Sequence, residues 1–215
     1  MKFTWLLVLL CIAGFAYPVL YGPETYDTYG FSLDNLQQRP YVFFTSIFMH
    51  ASFEHLISNI FVLIFFGLAV ESELGSKRML MIFFLGALAG DVLSLAVYAP
   101  SEIAVGASAG IFALIGVGML VRPLDLSFYP LVVPIPLALL GVAYALYNAY
   151  GFIASVDPNV SYIAHFGGLF VGLMFGFRHQ AKGVTQSWKR SVKIIMITFL
   201  IMILIPLIWL LISAK

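Results

Sequence analysis

The chain has 215 residues, of which 62% are hydrophobic and 10% charged, and its mean hydropathy is +1.02. A soluble domain is typically about 45–50% apolar and about 25% charged, so this composition excludes an ordinary soluble protein and predicts an integral membrane protein. The net charge of +1 offers no basic excess for nucleic acid, and a single cysteine, Cys11, excludes an internal disulfide.

Apolar segments recur along the chain at lengths that suit membrane-spanning helices, which need about 20 residues each. We predict an all-α polytopic membrane bundle with spans at about 4–22, 53–70, 79–98, 105–121, 130–152, 161–178 and 193–212. The first segment also fits a signal peptide, since Lys2 precedes the apolar run and Gly14-Phe15-Ala16 resembles a cleavage site. A retained span is favoured because the apolar run continues to Tyr21.

The basic residues predict the orientation of the bundle. With a cytoplasmic N-terminus, only Arg39 and Lys215 fall on the outer side, and the other basic residues fall on the inner side. This distribution follows the positive-inside rule. The long connection 23–52 is then an outer loop, and we expect it to be partly structured at the membrane interface.

Glycines at four-residue spacing predict how the helices pack. Gly168, Gly172 and Gly176 form a small-residue stripe in the sixth span, on the same face as His165. His165 is therefore expected to face a neighbouring helix, and the small residues around Ser108 in the fourth span make that span the expected neighbour.

Three motifs bring polar groups to one depth of the predicted bundle. They are His50-Ala-Ser-Phe-Glu-His55-Leu-Ile-Ser-Asn59, Gly106-Ala-Ser108-Ala-Gly110 and Ala164-His165-Phe-Gly-Gly168. Each motif lies at the outer end of a span that runs from outside to inside. Polar groups are costly in hydrocarbon, so each needs a partner or a function.

These residue types are the parts of a serine hydrolase. Ser108 would be the nucleophile and His165 the general base that takes its proton. His55 and Asn59 share a helical face and would donate hydrogen bonds to a developing oxyanion. Helix packing and interhelical hydrogen bonding are the structural alternatives for both histidines and for Asn59. Asp91 is intramembrane, and a polar contact is preferred for it over a role in orienting a histidine.

A metal site is the alternative to the serine mechanism at His50 and His55. His50 and His55 are five residues apart with Glu54 between them, whereas the zinc motif places two histidines four apart. We therefore expect no metal and no other cofactor.

The ordered set of motifs resembles the rhomboid family of intramembrane serine proteases over the first six spans. The resemblance implies a Ser108–His165 dyad, with His55, Asn59 and the Ser108 backbone N–H as the oxyanion hole. It also implies supporting positions at Gly106, His50, Phe112 and Gly168, with the Phe112 ring packing on the catalytic histidine.

The sequence departs from the family pattern at three positions. Ala109 stands where a glycine commonly follows the serine, Tyr41-Val42 replaces a Trp-Arg pair in the first loop, and Phe112 replaces an aromatic residue that carries a hydroxyl. The chain thus divides into a rhomboid-like six-span catalytic core at 1–178, a basic cytoplasmic connector at 179–192 and an additional transmembrane helix at 193–215.

The resemblance implies cleavage of single-span or polytopic membrane proteins within the bilayer, near its outer face and through an acyl-enzyme. It links the fifth span, with Pro130, Pro134 and Pro136, to substrate access. The cell membrane is the expected location. The alternatives are a non-catalytic rhomboid-like protein that binds membrane clients and a transporter; the oligomeric state is not predicted.

Overall fold

The computed structural model describes residues 2–125, 135–154, 156 and 160–182, with side chains as far as His179. Apart from an isolated bridge between Phe31 and Ala104, regular structure in these ranges is helical, which confirms the predicted all-α class. The helices are α1 (Phe3–Tyr21), α2 (Thr25–Tyr29), α3 (Leu33–Gln38), α4 (Val42–Phe48), α5 (Phe53–Leu74), α6 (Ser76–Ser94), α7 (Ser108–Val121), α8 (Leu137–Ala154) and α9 (Tyr162–Lys182).

The six long helices α1, α5, α6, α7, α8 and α9 correspond to the first six predicted spans. Helices α1, α5 and α8 are long and apolar enough to cross a bilayer, and α7 is a shorter apolar helix. The predicted seventh span, Pro130 and Pro134 lie outside the described residues. The division of the chain into core, connector and extra span stays a prediction.

Several predicted helix ends differ from the structure: α5 ends at Leu74 and not at 70, α6 begins at Ser76 and not at 79, and α9 ends at Lys182 and not at 178. Two further differences affect the ends of α6 and α7 that lie near each other along the chain. Helix α6 ends at Ser94 and not at 98, because the chain turns over the next three residues. Helix α7 begins at Ser108 and not at 105, because Gly106 has a φ of 126°, which no helical residue adopts. This later start makes Ser108 the first residue of its helix.

Glycines let α6, α7 and α9 approach backbone to backbone. A Cβ atom on Gly168 would collide with the carbonyl oxygen of Ala109, and one on Gly172 with that of Ala113. Gly86 of α6 meets Ala113 from the other side. The predicted packing of the sixth span on the fourth is therefore confirmed.

Helix α7 is enclosed by its neighbours. Every residue from Ala109 to Leu120 is buried, so the helix has no lipid-facing side. An apolar helix without an amphipathic pattern is expected in such a central position. The residues at its start are consequently held by packing from several directions.

The connection 23–52 folds into the three short helices α2, α3 and α4, in agreement with the expected partial structure. Phe31 pairs with Ala104 through two backbone hydrogen bonds of 2.8 and 2.9 Å, which tie this connection to the segment before α7. At the Tyr41-Val42 pair, Val42 is fully buried, and the Tyr41 ring lies 6.1 Å from that of Tyr29.

At the opposite end of the bundle, Glu71 joins α1, α5 and the start of α6. Its carboxylate accepts hydrogen bonds from the backbone N–H groups of Phe3 and Thr4 at 2.7 and 3.0 Å. It also accepts from the hydroxyls of Thr4 and Ser76, both at 2.6 Å. The first N–H groups of a helix lack intrahelical partners, so Glu71 satisfies two of them for α1 and places a carboxylate at its positive end.

Candidate active site

A cavity with a volume of about 510 Å³ lies among α5, α7, α8 and α9. Helices α5, α7 and α9 begin at the same end of the bundle, which we call the site end. The cavity opens there, since its wall includes exposed connecting residues such as Ala51, Glu102 and Ile103. Ser108, His165, His55 and Asn59 all line it, together with Asn148. The structure thus brings together the four residues that the motifs indicated as the reactive set.

The local backbone places Ser108 at the start of α7. The Gly106 N–H donates to the Ser46 carbonyl at 2.9 Å, which fixes the chain just before the helix begins. Ser108 itself is partly exposed to the cavity. The N–H groups of a first helical turn have no intrahelical acceptors and lie at the positive end of the helix dipole. A negative charge beside Ser108 would therefore be stabilised.

His165 lies in the first turn of α9 and is 8% exposed. Its ring is stacked on that of Phe112, with centroids 4.3 Å apart and planes inclined by 10°. Its Nδ1 atom is 2.6 Å from Oδ1 of Asn148 in α8. The ring is thus held on one face by an aromatic residue and at one edge by an amide.

No hydrogen bond joins Ser108 to His165 in this structure, although both belong to the described residues and line the same cavity. Catalytic hydrogen bonds are often long in unliganded enzymes and shorten when the substrate is bound. The arrangement brings a hydroxyl and an imidazole to one solvent-accessible space, which is the first requirement for nucleophilic catalysis.

His55 and Asn59 lie on the cavity side of α5. The Asn59 side-chain amide donates to the His55 carbonyl at 2.9 Å, which leaves its second hydrogen for another acceptor. The His55 ring lies against Gly106, where an added Cβ atom would be only 2.8 Å from Cε1 and 2.9 Å from Nε2. The glycine therefore allows His55 to approach the segment that carries Ser108.

His50 is fully buried behind His55 and is not among the residues that line the cavity. Its Nδ1 atom is 3.1 Å from the Phe48 carbonyl oxygen, and its ring contacts that of His55 edge to face at 5.0 Å. His50 lies in the loop between α4 and α5. Burial lowers its pKa to about 4, and the nearby His55 acts in the same direction. A neutral His50 therefore supports the His55 ring.

The alanine at position 109 is accommodated by neighbouring glycines. Its methyl group packs against Gly90 of α6, and its carbonyl oxygen lies against Gly168 of α9. Gly168 therefore acts here through close packing of α7 on α9, outside the cavity wall. Ala109 is buried, so its methyl group takes no space from the cavity.

Asp91 does not orient His165, because Nδ1 of His165 is hydrogen-bonded to Asn148. Among the described residues, Oδ2 of Asp91 has no hydrogen-bond partner. The sequence motifs did not indicate Asn148, although an amide in an apolar span is the same signal that Asn59 gives. Within the described ranges, no group of three His, Cys, Asp or Glu side chains is placed to hold a metal ion.

The apolar helices, with a cavity at one end of the bundle that several polar side chains line, define an integral membrane protein of the polytopic, all-helical class. Residues 37–182 match the Rhomboid domain. The match covers more than half of the chain, and the chain therefore belongs to the rhomboid family, which includes intramembrane serine proteases that act on membrane proteins.

Curated relatives agree with this assignment. The chain is 31% identical over 134 residues to RHOMBOID-like protein 1 of Arabidopsis thaliana, covering 62% of this chain and 33% of the relative. It is 28% identical over 167 residues to Rhomboid-related protein 2 of Mus musculus, covering 74% and 51%. It is 27% identical over 143 residues to Rhomboid-like protease 2 of Toxoplasma gondii, covering 66% and 49%. The chain thus spans about a third to a half of these relatives.

Proposed function

We propose that this chain is an intramembrane serine endopeptidase that cleaves membrane-spanning segments of other proteins. The observation that carries the proposal is the shared cavity, in which Ser108 of α7 and His165 of α9 lie with His55 and Asn59 of α5. Membership of the rhomboid family and the likeness to a relative named a protease support it.

In the proposed reaction, His165 takes the hydroxyl proton while Ser108 attacks the scissile carbonyl carbon. The carbonyl oxygen becomes an oxyanion, which accepts hydrogen bonds from His55, Asn59 and the Ser108 N–H. His165 then gives the proton to the departing amine, and an acyl-enzyme remains. Water, activated by His165, releases the acyl group and restores Ser108. The steps require no cofactor.

The proposed orientation places the cavity on the outer side of a cell membrane and the N-terminus in the cytoplasm. Support comes from the basic residues at the end of the bundle opposite to the site end, which include Lys77, Arg78, Arg122 and Arg178. Basic residues favour the cytoplasmic side. An outward cavity also gives the reaction its water.

The test is cleavage of a single-span substrate, with glycine and proline near the cut, by purified protein in liposomes. Wild type is compared with Ser108→Ala and His165→Ala, and with the matched controls Ser72→Ala and His179→Ala, which lie towards the other ends of α5 and α9. Cleavage that survives a metal chelator and is lost only in the first two variants supports the dyad.

Labelling with a fluorophosphonate gives an independent readout of the nucleophile. Modification of wild type and of the controls, but not of Ser108→Ala, is expected. Absence of both cleavage and labelling in folded wild-type protein would instead favour a non-catalytic rhomboid-like protein that binds membrane clients. Loss of cleavage on chelation alone would favour a metal-dependent reaction.

A further inference from the structure

Asn148 is the buried polar residue of the cavity that the proposed mechanism leaves without a role. It lies in α8, is 1% exposed, and its Oδ1 atom is 2.6 Å from Nδ1 of His165. Its helix is neither the one that carries the serine nor the one that carries the histidine. A buried amide normally requires hydrogen-bond partners, and both ends of this one have them.

A second hydrogen bond fixes which way the amide is turned. The Nδ2 group of Asn148 donates to the backbone carbonyl of Tyr162 at 3.1 Å. A carbonyl only accepts, so the nitrogen of Asn148 must face Tyr162 and the oxygen must face His165. Because Tyr162 lies three residues before His165 in the first turn of α9, the amide is aligned by the same turn that presents the imidazole.

The orientation of the amide determines the tautomer of the imidazole. An amide oxygen cannot donate a hydrogen bond, so Nδ1 of His165 must carry the proton at this short contact. In the neutral ring, Nε2 is then unprotonated and has a free lone pair. A general base needs such a lone pair to accept the proton of a serine hydroxyl.

Contacts on the face and edge of the ring restrict its rotation. Phe112 covers one face at 4.3 Å, and Asn148 holds the Nδ1 edge. The Tyr162 ring lies edge to face at 6.2 Å. A flip of the imidazole ring would put Cδ2 in the place of Nδ1 and so break the hydrogen bond to Oδ1 of Asn148.

We propose that Asn148 is a positioning residue that holds His165 as its Nδ1–H tautomer and so makes the site a Ser108–His165–Asn148 triad. The role of the triad in proteolysis rests on the proposed function. Asn148 contributes orientation and no charge, since an amide is neutral.

The first test reads the tautomer directly and needs no substrate. In protein with ¹⁵N-labelled histidine side chains in micelles, protonated and unprotonated ring nitrogens have well-separated resonances. The signals of His165 are identified by their loss in His165→Ala. A single Nδ1–H tautomer is expected in the wild type and a mixture in Asn148→Leu, which has a similar volume but no amide. A wild-type His165 without a proton on Nδ1 would overturn the proposal.

The second test measures turnover with the same variants. Asn148→Leu is expected to lower kcat by about 10²-fold, the lower end of what a general base contributes, with a much smaller change in KM. Asn148→Asp keeps an acceptor for Nδ1–H but loses the donor to the Tyr162 carbonyl, so it is expected to restore only part of kcat. Tyr150→Phe removes a hydroxyl from an exposed position of the same helix and is the matched control.

The two proposals fail in different ways. Full activity of Ser108→Ala would reject the protease mechanism, whereas the tautomer shift in Asn148→Leu would still be observed. An active enzyme whose tautomer and kcat are the same in Asn148→Leu as in Tyr150→Phe would reject the role of Asn148 alone. Should Asn148→Leu fail to fold, the tautomer of the wild type decides: a proton on Nδ1 of His165 supports the proposal, and its absence overturns it.

Discussion

Replacing Glu71 by glutamine tests whether one carboxylate fastens the first helix to the bundle. Each oxygen of Glu71 accepts two hydrogen bonds: Oε1 from Phe3 and Ser76, and Oε2 from both donors of Thr4. Glutamine keeps one oxygen and replaces the other by an NH₂ group, which cannot accept. Two bonds to a charged group are lost at about 1.5 kcal/mol each, so we expect a loss of about 3 kcal/mol in the free energy of unfolding.

The assay is titration of the protein in mixed micelles with sodium dodecyl sulfate, followed by circular dichroism. Glu73→Gln is the matched control, because it makes the same change two residues further along α5. It breaks a partly exposed 2.9 Å ion pair with Arg122, which is expected to cost less than about 1 kcal/mol. Thr4→Val should be less harmful in the Glu71→Gln background than in wild type. Equal losses in Glu71→Gln and Glu73→Gln would refute the reasoning.

Two further predictions concern Gly106 and His50. Gly106→Ala should abolish cleavage, because the new Cβ atom would displace the His55 ring. Gly75→Ala is the control: Gly75 also has a positive φ, of 82°, but its added Cβ atom would meet open space, so this variant should cost only about 1–2 kcal/mol of stability. Similar cleavage rates for the two variants would show that the His55 contact is unimportant. Because burial lowers the pKa of His50 from 6.5 to about 4, its contribution to stability is present above pH 6.5 and is lost as the pH falls towards 4. Acidification from pH 7 to pH 5 should therefore lower the free energy of unfolding by about 2 kcal/mol more in wild type than in His50→Gln. The measurement is the same dodecyl sulfate titration at both pH values, with His179→Gln as the control. Equal losses in wild type and His50→Gln would contradict this.

The packing of α9 on α7 could be predicted because the glycine pattern that indicates it lies within a single helix. The stripe of Gly168 and Gly172 has a fixed period on one face of a helix, and the structure places that face on α7. The motifs around His55, Ser108 and His165 could be brought to one level because three parallel spans each carry a motif near their start. These inferences require only helix geometry and direction.

The partner of His165 could not be predicted in the same way. The small residues Gly141, Ala145 and Ala149 recur every four residues and mark the buried face of α8, on which Asn148 also lies. This pattern does not indicate which neighbouring side chain Asn148 meets. The start of α7 was missed for another reason. The hydropathy of the segment around Gly106 is that of a membrane span, so the sequence places the start of the helix at 105. Only the observed φ of 126° at Gly106 shows that the helix begins at Ser108.

The length of α7 has a consequence for how the protein responds to its membrane. Its 14 residues span about 21 Å, whereas the hydrocarbon layer is about 30 Å thick. A lipid-facing helix of this length would thin or deform the bilayer. Because the enclosed α7 contacts no acyl chains, its length causes no hydrophobic mismatch. The depth of Ser108 is thus set by the surrounding helices. In the proposed reaction, a thicker or thinner bilayer would move the lipid-embedded substrate segment relative to the Ser108 hydroxyl and so change which peptide bond is presented to it.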